Sequence, residues 1–214
     1  MSCPASPWPA LVVVMPLSAA FLCFVLGQRW RGAPLLISLL ATALCCVGSL
    51  EILRELAASG PISYRLGGWR PPWGIEYRID GLNAFMLLLI SSVGMLATLY
   101  SARNVPLEVP GGVPHYYALH LLLIAGLLGM SITGDVFNLY VFLEISSLAA
   151  YALIASAGGR GLRASFNYIV MGTVAACFYL LGVGYLYAVT GSLNMADLAG
   201  LLPPLRHSPV AVSY

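Results

Sequence analysis

Long apolar runs alternate with short polar segments along almost the whole chain. A transmembrane helix needs about 20 mostly apolar residues, and six runs meet that requirement. They lie at about 9–27, 34–53, 82–101, 115–133, 136–157 and 165–189. Glycine and proline stand at most of their borders, as is typical where helices end. The pattern predicts an all-α polytopic membrane protein with about six transmembrane helices.

The connection between the second and third runs has a different period. Apolar and polar side chains alternate over residues 62–66 and again over residues 75–80. Between them lies a turn rich in glycine and proline that contains Trp69 and Trp73. Two period-2 runs around such a turn predict a short β-hairpin. The tryptophans suit a membrane–water interface, and an edge of the hairpin is a candidate docking site for a partner chain.

The last part of the sequence starts a seventh helix without completing it. Asn194 to Asp197 is typical of a helix N-terminus with a capping acid, and Pro203 with Pro204 predicts where that helix stops. Ser208 and Pro209 predict one further helix start. We therefore expect a fragment or a truncated reading frame.

The expected organisation has three parts. Residues 1–81 hold two peripheral helices and the external hairpin. Residues 82–189 hold helices three to six, and residues 190–214 hold an amphipathic segment and the start of the seventh helix.

Composition narrows the functional classes. The chain is 60% hydrophobic and only 8% charged, against about 25% charged residues in an average soluble domain. This excludes a soluble enzyme, a disordered chain and a nucleic-acid binder, and it makes the lipid bilayer the first partner. The net charge of +2 is too small to imply an anionic partner. All ten basic residues are arginine.

The positions of the arginines also indicate an orientation. The first and fifth connections are short, carry two arginines each and contain no acid. Short loops rich in arginine are typically cytoplasmic. We therefore expect the N-terminus to lie outside the cell membrane.

One acid stands well inside an apolar run. Glu144 is near the middle of the fifth run, where ionisable residues are costly and typically functional, as in proton relays. On a helix, Tyr140, Ser147 and Tyr151 share its face. His120 in the fourth run is a candidate to pass protons between the surface and Glu144. Structural roles remain open: a protonated Glu144 bonded to a neighbouring hydroxyl, and a His120 that only packs.

No other chemistry is predicted. The sequence offers no nucleophile–base pair at a shared depth and no spacing typical of metal ligands. We expect no catalytic site, metal or cofactor in this chain, which disfavours an intramembrane enzyme.

Four stretches resemble one family. They lie at 64–69, 74–82, 134–147 and 190–198, and the likeness extends over roughly 60–200. They resemble the proton-translocating antiporter-like subunits: the D subunits of Mrp-type cation/proton antiporters, and the corresponding subunits of respiratory complex I and membrane-bound hydrogenases. The amino-acid sequence around Glu144 is most similar to that of the Mrp branch.

The resemblance implies a fold of about fourteen helices, an external N-terminus and a place in a bacterial or archaeal cell membrane. It also implies other membrane subunits as partners, and protons, with sodium as a second candidate ion. In this family the glutamate at the position of Glu144 pairs with a lysine on the seventh helix, whereas this sequence contains no lysine. Two hypotheses follow: the N-terminal part of a proton-translocating subunit, or a truncated, non-conducting subunit that docks to a larger membrane complex.

Overall fold

Six long helices make up most of the structure, a computed structural model that describes residues 6–30, 32–69, 73–109 and 112–205. Each of the six is long and apolar enough to cross a membrane. They are α1 (Trp8–Gly27), α2 (Ala33–Ser59), α3 (Gly81–Glu108), α4 (Val113–Ile132), α5 (Val136–Ser156) and α6 (Gly159–Thr190). The polytopic all-α membrane fold predicted from the apolar runs is confirmed.

Three helices are longer than the apolar runs that predict them. α2 continues to Ser59, α3 continues to Glu108, and α6 begins at Gly159. Helical hydrogen bonds form between backbone groups of one segment, so a helix does not have to end where its side chains become polar. Hydropathy therefore marks the part of each helix in lipid, and capping groups mark its ends. At the start of α3, Asp80 accepts hydrogen bonds from the backbone N–H groups of Leu82 and Asn83.

Strands β1 (Ile62–Arg65) and β2 (Glu76–Ile79) lie between α2 and α3. They pair antiparallel, with Ile62 opposite Ile79 and Arg65 opposite Glu76. This confirms the predicted hairpin. Trp69 and Trp73 beside its turn are 69% and 88% exposed, which leaves them free to meet the membrane–water interface.

The helices pack in an order that puts α4 at the centre. α1 contacts α2 and α4, α2 contacts α3, and α4 contacts α5. α6 packs mainly against α5, and most of its apolar side chains are exposed. The buried core therefore lies among α1 to α4, and α5 with α6 forms one flank of the bundle.

One end of the bundle is tied together by what we call the hairpin junction: strand β2, residues 133–136 and residues 192–195. The backbone N–H of Gly134 donates to the carbonyl of Glu76 at 2.8 Å, and that of Met195 donates to Gly134 at 2.8 Å. The Asn194 amide donates to the Glu76 carboxylate at 3.0 Å. These bonds fix the start of α5 and the segment after α6 against the hairpin.

The short helix α7 (Met195–Leu205) corrects two details of the predicted seventh element. Its cap is Asn194, whose side-chain oxygen accepts from the backbone N–H groups of Ala196 and Asp197, while Asp197 accepts from Ser192. The helix continues through the two prolines to Leu205. They stand in its last turn, where their missing N–H groups remove only the final hydrogen bonds. The expected helix start at 208–209 lies outside the described residues.

Candidate functional site

The start of α5 is held by a set of polar groups at the hairpin junction. Asp135 caps the helix by accepting from the Asn138 backbone N–H at 2.7 Å. The Asn138 amide donates to Thr133 at 2.9 Å and also hydrogen-bonds to the Tyr77 hydroxyl. Burial raises the pKa of Tyr77 above its usual value, so this phenol stays neutral. These contacts set the rotation of α5 about its axis.

The face of α5 toward α4 is packed without spare room. A Cβ atom on Gly126 would lie 2.7 Å from the Ser146 Cβ and 2.8 Å from the Phe142 carbonyl oxygen. Gly129 faces the Phe142 ring in the same way. Glycine is therefore required for the close approach of the two helices. Because successive residues turn by about 100°, Glu144 points away from this contact.

The face of α5 that carries Tyr140, Glu144, Ser147 and Tyr151 contacts α6 at both of its ends. The Tyr140 ring stacks on Tyr179 with 6.2 Å between ring centroids. The Tyr151 ring packs edge-on against Tyr168 with 4.7 Å between centroids, and its hydroxyl occupies the notch left by Gly172. The structure thus places Tyr140 and Tyr151 in the α5–α6 interface.

Glu144 and Ser147 lie between those two tyrosines along α5. Both side chains are half-buried. Glu144 forms no hydrogen bond or ion pair with any residue that the structure describes. The neighbouring Ser146 hydroxyl donates to the Leu143 carbonyl instead, at 2.9 Å. The hydroxyl bond that a purely structural Glu144 requires is absent from the described part of the chain.

His120 is buried in a different interface, between α4 and α3. Its Nε2 lies 3.1 Å from the Thr98 hydroxyl, which donates its own proton to the Gly94 carbonyl at 2.8 Å. Nε2 is therefore assigned as the protonated ring nitrogen. From the facing pairs at Gly126 and Gly129 and a rise of 1.5 Å per residue, His120 lies about 10 Å from Glu144 along the bundle. The structure does not bring the two side chains together.

A polar cleft of about 490 Å³ opens beside His120, where α3 and α5 end and α4 begins. Ser101, Asn104, Glu108 and Ser156 line it. Ser101 also donates to the buried Tyr117 hydroxyl at 3.2 Å.

Sequence reasoning missed Thr98 and Ser101 in this cluster because single hydroxyls in an apolar run are common. The available signal was their i, i+3 spacing, which repeats between Tyr117 and His120 on the facing helix. Within the described ranges, no group of three or more His, Cys, Asp or Glu side chains is placed to hold a metal ion.

Comparisons with known proteins show what the chain is similar to. Residues 133–211 match the family described as NADH:quinone oxidoreductase/Mrp antiporter, TM. NADH-quinone oxidoreductase subunit N of Desulforudis audaxviator is 50% identical over 95% of this chain and 41% of its own length. The D subunit of the Na(+)/H(+) antiporter of Bacillus subtilis is 36% identical over 88% of this chain and 38% of its own length.

A solved structure shares the fold. A chain of the membrane-bound sulfane sulfur reductase, an archaeal respiratory membrane complex, superposes with a TM-score of 0.88 at 37% identity. The match covers 94% of this chain and 41% of that one. The chain thus spans about two-fifths of the length of the curated relatives it matches. Over nearly all of its own length, it is related to the antiporter-like membrane subunits of Mrp antiporters and of respiratory complex I.

Proposed function

We propose that this chain forms part of a proton-conducting membrane subunit, in which Glu144 accepts and releases a proton inside the membrane. The position of Glu144 carries the proposal. It lies near the middle of α5, half-buried and without a hydrogen-bond or ion-pair partner in the described part of the chain. An acid at such depth costs about 2.5–3.5 kcal/mol on insertion scales. Its presence there without a structural partner favours a functional role.

The side chains around Glu144 supply hydroxyl groups along one path. Ser147 lies one turn further along α5, and Tyr140 and Tyr151 bound the same face at the α6 contact. Hydroxyls both donate and accept hydrogen bonds, so they can pass a proton or hold a water that does. In this proposal, water reaches α5 from the side that faces α6.

His120 extends the route toward the polar cleft at the other end of α4. The hydrogen-bonded pairs Thr98–His120 and Ser101–Tyr117 lead inward from that cleft. A histidine changes charge near neutral pH and can relay protons. The two side chains face different interfaces and lie about 10 Å apart along the bundle, which is too far for direct transfer, so this part of the route needs further groups or water around the close α4–α5 contact.

The relatives indicate the setting of this activity. Their names are those of subunits, one of a quinone oxidoreductase and one of a sodium/proton antiporter. We propose that this chain works beside other membrane subunits and that sodium is the first candidate for a coupled ion. We also propose that the N-terminus lies outside the cell membrane and that the chain divides into three parts, with boundaries after residues 81 and 189.

A second candidate function has one observation in its favour. The sequence has no lysine, and Glu144 has no cationic partner in the described ranges. Without a charged partner that takes up its proton, a carboxyl group inside the membrane has no group to exchange that proton with. In this alternative the chain is a structural subunit that docks to a larger membrane complex.

Glu144→Gln separates the two functions. The measurement is proton flux into liposomes that contain the assembly purified from native membranes. We expect at least about a tenfold loss of flux, because the amide keeps the shape of the acid but cannot exchange a proton. The matched control is Glu51→Gln on α2, where the acid is paired with exposed Arg54 at 2.6 Å. It should keep flux within about twofold.

Unchanged flux in a correctly assembled Glu144→Gln variant would favour the structural alternative. His120→Ala tests the relay separately in the same liposomes. A reduced rate with normal assembly supports the relay, whereas unaltered flux removes His120 from the route without affecting the argument for Glu144.

A further inference from the structure

An apolar groove opens between α5 and α6 at the end of the bundle where α5 finishes. Its volume is about 770 Å³, within the range of small-molecule sites. Leu148, Ala152 and Ala155 line one side, and Leu162 and Phe166 line the other. Arg163 stands at its rim.

The groove opens where α5 and α6 no longer contact each other closely. Tyr151 fixes the contact next to the groove through Tyr168 and Gly172. Beyond that contact, small residues leave the space between the helices unfilled. The polar atom at the floor is satisfied, because the Ser165 hydroxyl donates to the Tyr151 carbonyl at 2.7 Å. What remains is an apolar surface with a basic edge.

The charge at that edge is uncompensated. Arg160 and Arg163 are both exposed, and neither forms an ion pair within the described residues. The segment from residue 156 to residue 165 contains no acid. Guanidinium groups bind phosphate through paired hydrogen bonds. The groove therefore suits a ligand with an apolar tail and an anionic phosphate head.

We propose that the α5–α6 groove binds an anionic phospholipid. One acyl chain lies along the groove, and Arg160 and Arg163 hold the phosphate. The position of the groove agrees: the α6 side of the groove runs over residues 159–169, which rise about 15 Å. The arginine end of this stretch lies at the level of the headgroups, and the part from Ser165 onward lies in the apolar run.

The test compares lipids retained by the purified protein. Nanodiscs contain equal amounts of phosphatidylglycerol and phosphatidylcholine, and native mass spectrometry counts the lipids that remain bound. We expect phosphatidylglycerol to be retained preferentially. The double variant Arg160→Gln/Arg163→Gln should lose about tenfold of that preference, since each basic residue near the surface contributes to anionic lipid binding.

Two further variants make the result specific. Arg29→Gln/Arg103→Gln removes the same charge from exposed positions at the same end of the bundle and should keep the preference. Ala152→Leu/Ala155→Leu fills the groove without changing charge and should lose the lipid. Circular dichroism checks that each variant folds, and if the filled variant does not, the two arginine pairs decide.

Three outcomes overturn the proposal. One is equal retention of the two lipids, as expected where a further membrane-spanning segment covers the groove. Another is an equal loss in both arginine variants, which indicates only a general surface attraction. The third is displacement of the lipid by millimolar inorganic phosphate, which shows that the acyl chain contributes nothing.

Discussion

The two faces of α5 pack against their neighbours in different ways. Toward α4, glycines bring the backbones together so closely that no side chain fits at Gly126. Toward α6, the contact consists of aromatic rings and hydroxyls, with Glu144 and Ser147 between them and an open groove beyond. One helix therefore has a close-packed side that sets its position and a more open side that carries hydroxyl groups and the Glu144 carboxyl group.

This contrast explains how a carboxyl group can be held at a defined depth without being hydrogen-bonded. The close-packed side fixes the backbone of Glu144, and the junction fixes the rotation of α5 through Asn138. The carboxyl group itself forms no hydrogen bond within the described residues. The variants below test whether the two faces differ as described, from the largest expected effect to the smallest.

Gly126→Ala should have the largest effect on stability. The new Cβ meets backbone atoms of α5, which cannot move aside as a flexible side chain would. We expect a loss of about 3 kcal/mol in the free energy of unfolding, at the upper end of the usual range for overpacking. Unfolding in mixed micelles, followed by circular dichroism, measures it.

Gly182→Ala is the matched control for that substitution. Gly182 lies on exposed α6 with no atom within 4 Å of the new Cβ. Alanine favours helix over glycine by up to about 1 kcal/mol, so this variant should be neutral or slightly stabilised. Equal effects at the two glycines would contradict the difference between the faces.

Gly172→Ala applies the same change to the α6 side and should cost less, about 1–2 kcal/mol. The new Cβ meets the hydroxyl end of Tyr151, a side chain that can shift by rotating. Gly184→Ala, again with no atom near, is the control. A cost above that of Gly126→Ala would make the α6 contact the tighter of the two.

Ser165→Ala removes the buried hydrogen bond from Ser165 to the Tyr151 carbonyl, which spans α5 and α6. We expect a loss of about 1 kcal/mol in the free energy of unfolding, the usual net value of one such bond. Ser156→Ala removes an exposed bond within its own helix, to Leu153, and should cost almost nothing. A similar cost at both positions would mean that the α5–α6 bond adds no stability.

Tyr77→Phe removes the hydroxyl that hydrogen-bonds to Asn138, and it should show a small effect that shrinks as the pH rises. The raised pKa of folded Tyr77 means that the unfolded chain releases this proton first, near the ordinary tyrosine pKa of 10.0. The wild type therefore loses stability as pH rises above about 10, and the variant lacks that part of the loss. Unfolding between pH 7 and 11 should show the gap between the two narrowing. A constant gap would show that Tyr77 is not buried against α5.

The apolar runs sufficed to predict the six helices and the hairpin. Twenty-residue runs and period-2 alternation are local properties, and each is visible in one stretch of sequence. The ends of α3 and α6 are harder to predict, because both helices continue past lipid through residues such as Arg103 and Arg163. The pattern from Asn194 to Asp197 predicts the start of α7 with a capping acid, but the partners of the two side chains depend on packing: Asn194 caps the helix, and Asp197 accepts from Ser192.

The candidate site is predictable only in part. One acid in the middle of an apolar run identifies Glu144, and helical spacing places Tyr140 and Tyr151 on its face. The partner of each side chain depends on how the helices pack, which spacing does not give. His120 thus turns toward Thr98 on α3, and its distance from Glu144 could not be predicted from the sequence.

The bonds of the hairpin junction also form in a fixed order while the chain is synthesised. Glu76 first accepts a hydrogen bond from Gly134. Its other partner, Asn194, lies 118 residues after Glu76 in the sequence. At 5–20 residues per second, roughly 6–24 s pass between the appearance of the two partners. For about the second half of that interval, after Gly134 has been made, α5 can be anchored while the segment after α6 is still missing. The final bond therefore forms only after the fifth and sixth helices have both been synthesised.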